Sequence, residues 1–128
     1  MDEAVFDTTV FIDAYNEHPG ALALLEAART RALAASFAAA SAYELWLRDM
    51  NRLEEASYLS SFAILQEVSM TAAIAREVGR LLRGSPRAQR LRFAADAMIA
   101  ATAASLGATI YTRNPRDLAR FYPDVHSY

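Results

Sequence analysis

The distribution of apolar and polar positions divides the chain into alternating strand-like and helix-like segments. Short apolar runs bounded by turn residues predict strands, at Val5–Phe6, 36–40, 67–70, 108–112 and 124–128. Longer stretches with apolar residues three and four positions apart predict helices, at 10–15, 21–34, 41–52, 54–66, 71–83, 93–106 and 118–121. Strands that alternate with helices are typical of a parallel sheet covered on both faces. The sequence therefore predicts an α/β protein.

The helix predicted at 93–106 differs from the others because it is apolar nearly all round. Such a helix is buried on several sides. Gly107 follows it directly and is expected to end it as a C-cap. No repeat, low-complexity tract or linker interrupts the pattern, so the 128 residues are expected to form a single domain, 1–128.

Composition excludes several classes of site. The chain has no cysteine, which removes disulfides and thiolate metal sites. Its two histidines, His18 and His126, fall in predicted turn or terminal segments, so no zinc ligand set is visible. No apolar run is long enough to span a bilayer, and Asp2 and Glu3 stand where a signal peptide would be basic. We therefore expect a cytoplasmic protein with no membrane contact.

The charge pattern leaves nucleic-acid binding open. A net charge of -2 gives no global basic signature, but all thirteen basic residues are arginine and five of them crowd into "RLLRGSPRAQRLR". Arginine binds phosphate oxygens better than lysine does. The alternative is that this short cluster is only a solvated loop.

Asp7 is the first of several polar residues that follow predicted strands. In "AVFDTTVFIDAY" it interrupts an apolar run at the end of the first strand. A buried carboxylate needs a partner, and ligands of open parallel sheets collect at the carboxyl ends of the strands. The alternative is that Asp7 caps the helix that starts near Thr8. Asp13, six residues on, is expected to face solvent.

Glu44 lies just past the second predicted strand and has the same two interpretations. The segment from Ser41 to Glu44 fits the S-x-x-E capping box, in which the glutamate bonds back to the backbone. Its place after a strand equally puts it at the sheet edge where Asp7 lies. Both interpretations predict that the two carboxylates share this edge.

Of the acids considered, Asp96 is the hardest to explain by a purely structural role. It shares a helix face with apolar residues at positions i−3, i+3 and i+4, namely Phe93, Ile99 and Ala100. A carboxylate on that face should have a partner. The candidates are an arginine such as Arg92 or a bound cation.

Asn114 and Asp117 follow the strand predicted at 108–112. Asn-Pro is itself a turn signature, which is the structural alternative for Asn114. Acids that converge on one sheet edge would repel each other without a counter-ion, and an all-oxygen ligand set is the kind that Mg2+ or Mn2+ prefers. Carboxylate-held Mg2+ points to phosphate chemistry.

Three segments resemble a known family in their order and spacing. "VFDTTVFIDAY", "SAYEL" and "FAADAMIAATAASLGATIYTRNPRDLARF" resemble the PIN domain and, within it, the VapC-like toxins of toxin-antitoxin pairs. The resemblance implies a three-layer α/β/α sandwich around a mostly parallel sheet of four to five strands. It also implies a Mg2+- or Mn2+-dependent endoribonuclease.

The resemblance places the family's site residues on this chain. Its four positions fall on residues after strands or on helices: Asp7, Glu44, Asp96 and Asn114. Asp117 matches a further acid, and Thr8 and Thr112 are secondary candidates beside these positions. Two departures stand out, because Thr9 replaces the usual asparagine of D-T-N and Asn114 is an amide rather than a carboxylate.

These assignments give a specific mechanism to test. Asp7, Glu44 and Asp96 would hold the metal, with Asn114 or Asp117 assisting through a water. The metal would bind the scissile phosphate of RNA and activate the water that hydrolyses it. The arginines that precede the helix at 93–106 or follow the strand at 108–112 would contact the RNA backbone: Arg87, Arg90, Arg92 and Arg113.

Other functions stay open at this point. A PIN scaffold with weakened catalysis could bind RNA or protein only, and Thr9 and Asn114 favour that alternative. A nucleotide-binding domain is disfavoured because no glycine-rich phosphate loop is present. The resemblance further implies a homodimer and a cognate antitoxin whose tail blocks the acidic site. Apolar residues that could exceed the needs of one core give this loose support: Tyr43, Leu45, Trp46 and Leu47.

Overall fold

The computed structural model describes residues 2–128 and contains a five-stranded sheet in the order β3-β2-β1-β4-β5. The strands are β1 (Asp2–Phe6), β2 (Leu33–Ala38), β3 (Gln66–Val68), β4 (Thr109–Tyr111) and β5 (Val125–His126). Every neighbouring pair is parallel. The expected α/β/α architecture around a parallel sheet is therefore confirmed, with the sheet parallel throughout residues 2–128.

Seven α-helices connect and cover these strands within the described residues. They are α1 (Thr8–Tyr15), α2 (Pro19–Arg29), α3 (Ala39–Trp46), α4 (Arg52–Ala63), α5 (Ala72–Arg83), α6 (Ala94–Leu106) and α7 (Pro115–Leu118). A short 3-10 turn at Arg87–Gln89 separates α5 from α6. No helix among residues 2–128 is long and apolar enough to cross a membrane.

Two predicted boundaries in the alanine-rich part of the chain are wrong. The helix predicted to 34 ends at Arg29, so Leu33 and Ala34 belong to β2. The strand predicted to 40 ends at Ala38, and α3 begins at Ala39. Alanine is small and apolar in either element, so the apolar pattern alone does not locate these ends.

Strand β1 lies at the centre of the sheet and separates two cores. Ala4 and Phe6 pack on one face with residues of α1, α2 and α4. Val5 points to the opposite face, where it packs with Ile99 of α6 and Ile110 of β4. This alternation follows from the two-residue period of a strand. Burial on both faces explains why β1 is apolar from residue 4 to residue 6.

Helix α6 is the most buried helix of the fold. It packs against β1 on one side and against α5 on the other, which confirms the prediction from its apolar sequence. Gly107 ends it with a φ of +62°, the left-handed conformation that glycine adopts without strain, as expected for a C-cap. The N-terminal turn of α6, with Asp96, lies at the carboxyl edge of the sheet, where α1, α3 and the segment after β4 also begin.

Candidate functional site

A cavity of about 320 Å³ opens at the carboxyl edge of the sheet. Its polar lining includes the residues that the sequence singled out: Asp7, Glu44, Asp96, Asn114 and Asp117. They come from the ends of β1 and β4 and from α3, α6 and α7, which the parallel topology brings together. Four carboxyl groups therefore share one cavity: the strand-end argument predicted this for Asp7 and Glu44, and the resemblance predicted it for Asp96.

Asp7 is held by two hydroxyl groups rather than by a helix terminus. Its backbone takes the N-cap position of α1, but its side chain makes no capping bond, so the capping interpretation is wrong. Instead, Oδ2 of Asp7 accepts hydrogen bonds from Thr112 at 2.7 Å and from Thr9 at 3.0 Å. Across residues 2–128, Oδ1 accepts none. One oxygen of Asp7 is thus fixed, and the other remains free to bind a ligand of the cavity.

Glu44 lies within α3, and the capping-box interpretation is also wrong. Ala38 occupies the N-cap position of α3, so Ser41 is inside the helix, where it is fully buried. Thr8 donates a 2.6 Å hydrogen bond to Oε1 of Glu44, and the hydroxyl of Ser41 lies 3.1 Å from that of Thr8. Burial raises the pKa of Glu44, the bond from Thr8 opposes this, and the charge of Asp7 adds to it.

Asp96 carries the most perturbed carboxyl group of the cavity. Its pKa is raised to about 7, mainly by burial and further by the charges of Asp7, Glu44 and Asp117. Arg120 only partly offsets these effects. The ionised form of Asp96 is therefore unfavourable in the folded protein. A bound cation would stabilise that form.

The arginine proposed as a partner for Asp96 is engaged elsewhere. The guanidinium of Arg92 lies 5.2 Å from the ring centroid of Phe93, and that of Arg120 lies 4.2 Å from the same centroid. Within the described part of the chain, Asp96 forms no ion pair with either. The alternative of a salt bridge to Arg92 is therefore wrong, and the alternative of a bound cation is favoured.

The segment after β4 contributes both a hydroxyl and an amide to the site. Thr112 is fully buried, and its hydroxyl accepts a 3.1 Å hydrogen bond from the backbone N–H of Asn114. Asn114 precedes Pro115, the first residue of α7, and its side chain makes no capping bond there. The turn interpretation of Asn-Pro is therefore compatible with a place in the cavity.

The four arginines expected to bind RNA lie outside the lining of the cavity. Arg87 is exposed in the 3-10 turn, and Arg92 is exposed beside Phe93. Arg90 donates to the carbonyl oxygens of Ser85 and Arg83, at 3.2 and 3.4 Å, and so organises its own loop. Arg113 is half exposed and forms an ion pair with Asp13.

Sequence reasoning missed one basic residue of the site. Arg48 lines the cavity, and a guanidinium nitrogen lies 3.9 Å from Oε2 of Glu54. Among the described lining residues it is the one with a positive charge. Its position four residues after Glu44, one turn along the helix predicted at 41–52, was the available signal, although α3 ends before it at Trp46.

Asp13 is buried, so the expectation that it faces solvent is wrong. The residue is 5% exposed, and its Oδ2 accepts a 2.7 Å hydrogen bond from the hydroxyl of Tyr128. It lies four residues after Thr9 and therefore on the same face of α1. That face is covered by the segment after β4 and by Tyr128, which the sequence pattern of α1 alone does not reveal.

The donor chemistry of the cavity fits a hard divalent cation. The donors are carboxylate, amide and hydroxyl oxygens, and two of the acids have their pKa raised in part by neighbouring negative charge. Within residues 2–128, no three acidic or histidine side chains lie close enough together to hold a metal ion as they stand. Mg2+ commonly binds through one or two carboxylates and keeps several waters, so a wide cavity of separate acids suits it.

Two of three comparisons relate the chain to known proteins. The model of the PIN domain family matches residues 4–122. A search of curated protein sequences gives no match. Solved structures with the same fold include toxin-antitoxin complexes at sequence identities between 17% and 23%.

The similar structures cover nearly the whole chain. VapBC2 from Rickettsia felis, bound to a DNA fragment from its promoter, aligns with a TM-score of 0.75 and 17% identity over 98% of both chains. DNA-bound VapBC from Salmonella typhimurium gives 0.69 and 20%, over 100% of this chain and 98% of that one. A toxin-antitoxin complex from Klebsiella pneumoniae gives 0.70 and 23%, over 96% and 95%. At these identities the likeness establishes the fold.

Proposed function

Because the chain belongs to the PIN domain family, we propose that it is a Mg2+- or Mn2+-dependent endoribonuclease. The observation that carries the proposal is the convergence of Asp7, Glu44, Asp96 and Asp117 on one cavity at the carboxyl edge of the sheet. Burial, and then the charges of the other three acids, raise the pKa of Asp96 to about 7, so a cation bound in the cavity would favour its ionised form. We further propose that the protein is the toxin of a toxin-antitoxin pair.

The metal would be held by Asp7, Glu44 and Asp96, with Asn114 or Asp117 assisting through a water. When bound, the ion would supply a Lewis acid for the scissile phosphate and lower the pKa of a water molecule. The chain's own contribution is to hold the ligands in place. Each of two carboxylates accepts a hydroxyl bond that restricts its rotation, as described above for Glu44 and Asp7.

Arginines around the cavity would hold the RNA backbone. Arg87, Arg92 and Arg113 are exposed, and Arg90 supports the loop that carries Arg87. Contacts of this kind position a nucleic acid by its phosphates and carry little sequence information. An RNA substrate also implies that the protein acts in the cytoplasm.

An apolar groove beside the acidic cavity supports a protein partner. It has a volume of about 640 Å³ and shares Glu44 with the cavity. Its apolar lining includes two strongly exposed side chains, Leu47 at 67% and Leu91 at 92%. Contiguous exposed apolar surface often marks an interaction site. We propose that a cognate antitoxin covers this groove and the acids next to it, since the similar structures are toxin-antitoxin complexes.

A homodimer is the second proposed assembly. Of the apolar residues that suggested one, Leu45 is fully buried and belongs to the core of this chain. Tyr43, Trp46 and Leu47 are exposed, but Tyr43 and Leu47 line the groove assigned above to the antitoxin, which leaves Trp46 available to a second copy.

The competing proposal is a catalytically weakened PIN scaffold that binds RNA or protein. It is favoured by Asn114, whose neutral amide lowers the negative charge of the cavity, and by Thr9 in place of the usual asparagine. Calorimetric titration with Mn2+ tests the metal site of both proposals. We expect binding in the wild-type protein that is lost in Asp7→Asn; no binding at millimolar Mn2+ would contradict the nuclease proposal and favour the weakened scaffold.

A further inference from the structure

Asp13 is a buried acid that the proposed mechanism does not use. Its two oxygens bind different partners: Oδ2 accepts from the hydroxyl of Tyr128 at 2.7 Å, and Oδ1 lies 3.2 Å from a guanidinium nitrogen of Arg113. Burial, and next the hydrogen bond to Asp13, raise the pKa of Tyr128. A buried carboxylate is costly unless its oxygens are paired, and each oxygen of Asp13 has a donor.

The contacts of Asp13 continue toward the acidic cavity through Thr9. Thr9 and Asp13 are one helical turn apart on α1. The hydroxyl of Thr9 accepts a 3.0 Å hydrogen bond from the backbone N–H of Arg113 and donates one of 3.0 Å to Oδ2 of Asp7. Arg113 is thus bound to α1 twice, by its side chain at Asp13 and by its backbone at Thr9.

The neighbouring residue Thr112 completes this connection. Its hydroxyl donates to the same oxygen of Asp7 and lies 3.5 Å from the hydroxyl of Thr9. The position of residues 112–114 against α1 therefore determines whether both hydroxyls reach Asp7. A displacement of this segment would remove the bonds that fix the Asp7 carboxylate.

We propose that Asp13 is a positioning residue for the acidic cavity, which holds Arg113 and Tyr128 against α1 and thereby fixes residues 112–114 and the carboxylate of Asp7. This inference rests on the proposed nuclease function for its catalytic consequence, but the structural connection exists independently of it. Tyr128 has a second anchor, because its ring packs edge-on against that of His18 at 5.5 Å between centroids.

Asp13→Asn and Tyr128→Phe test the proposal with little change in volume. The asparagine still offers an oxygen to Tyr128 but loses the charge that holds Arg113, and the phenylalanine removes only the hydroxyl. Asp124→Asn is the matched control. Asp124 is an exposed aspartate whose side chain accepts from Thr109 at 2.7 Å and contacts His126 at 3.0 Å, and it makes no hydrogen bond to Asp7, Thr9 or Thr112.

The first measurement is hydrogen exchange at the amides of Arg113 and Asn114, which needs no metal and no substrate. In Asp13→Asn we expect exchange there to accelerate by roughly tenfold, because the segment opens more often. Tyr128→Phe should act in the same direction, and Asp124→Asn should leave both amides unchanged. Unchanged exchange in Asp13→Asn would overturn the proposal whether or not the protein cleaves RNA.

The second measurement separates positioning from simple stabilisation. Below the unfolding transition of each variant, we expect kcat for RNA cleavage in Asp13→Asn to fall by roughly tenfold while KM stays within about twofold. A lower Tm with unchanged kcat would reduce Asp13 to a structural role. A higher KM with unchanged kcat would assign its effect to RNA binding by Arg113. Absence of cleavage in the wild-type protein would count against the proposed function, and the exchange result would then decide this inference.

Discussion

Thr112 and Asp7 are 105 residues apart in the chain, and the hydroxyl of Thr112 donates a 2.7 Å hydrogen bond to Oδ2 of Asp7. The bond crosses from the end of β4 to the end of β1, where these neighbouring strands deliver their next residues to one edge. The parallel sheet thus brings the two side chains together, and the hydroxyl that follows β4 orients the carboxylate that follows β1.

Removal of the Thr112 hydroxyl should weaken both the fold and the site. Thr112→Val keeps the shape but leaves Oδ2 of Asp7 with only the bond from Thr9, and we expect a loss of about 1–3 kcal/mol in the free energy of unfolding. Mn2+ affinity should fall as well. Urea denaturation and calorimetry measure the two effects. Thr109→Val, at a half-buried residue of β4 whose hydroxyl donates to Asp124, is the control and should leave Mn2+ affinity unchanged.

Ionisation of Asp96 should destabilise the metal-free protein. Its pKa is about 7 when folded and near 3.8 when unfolded, so the folded protein binds the proton more tightly. The free energy of unfolding should therefore decrease as pH rises from about 4 to about 7, and the penalty should be complete above the folded pKa.

The variant Asp96→Asn removes this penalty and should stabilise the protein at pH 8 in the presence of a chelator. An unscreened shift of this size corresponds to roughly 4 kcal/mol, but Asp96 is partly exposed and solvent screening reduces the expected gain to about 1–2 kcal/mol. At pH 4 the difference should vanish. Urea denaturation at both pH values measures it, with the exposed Asp49→Asn as control; an equal effect at pH 4 and pH 8 would contradict the account.

Metal binding should depend on pH through the same carboxyl group. A ligand must lose its proton to bind a cation, so Mn2+ affinity should increase by about tenfold or more between pH 6 and pH 8, with proton release on binding. Calorimetry in two buffers of different ionisation enthalpy measures the protons released. Affinity that is flat across this range would show that Asp96 is not a ligand.

The exposed arginines should contribute to RNA binding by charge. In the double variant Arg87→Ala, Arg92→Ala we expect KM for RNA to increase and the slope of log KM against log salt to become shallower by between about 1 and 2. Arg76→Ala, at an exposed arginine on α5, tests whether the loss of any surface arginine changes the slope equally. An unchanged slope in the double variant would remove these two residues from the RNA-binding surface.

The sequence was sufficient to predict where the acids converge. Asp7, Glu44 and Asn114 could be located because each follows an apolar strand, and the carboxyl ends of parallel strands meet at one edge. Asp96 could be singled out because an acid on an apolar helix face needs a partner, and the family resemblance grouped it with the other acids. The structure adds how these groups are held. The carboxylates of Glu44 and Asp7 accept hydrogen bonds from the hydroxyls of Thr8 and Thr112, and not from the backbone N–H groups of a helix N-terminus.

Two features could not be predicted because they depend on contacts between distant parts of the chain. Asp13 resembles a solvent-facing helix residue until Tyr128, 115 residues later, is packed over it. The boundary between β2 and α3 lies in a run of alanine and serine, where side-chain size and polarity favour neither element. The local spacing of apolar residues predicts neither the burial of Asp13 nor the boundary between β2 and α3.

RNA cleavage with Mg2+ tests the central claim most directly. We expect the wild-type protein to cleave a structured RNA in the presence of Mg2+ and to lose this activity with a chelator. Asp7→Asn and Asp96→Asn should each reduce the rate by at least about a hundredfold, because each removes a charge from the proposed metal site. Asp49→Asn should retain full activity. Undiminished cleavage by Asp7→Asn or Asp96→Asn would contradict the assignment of the site.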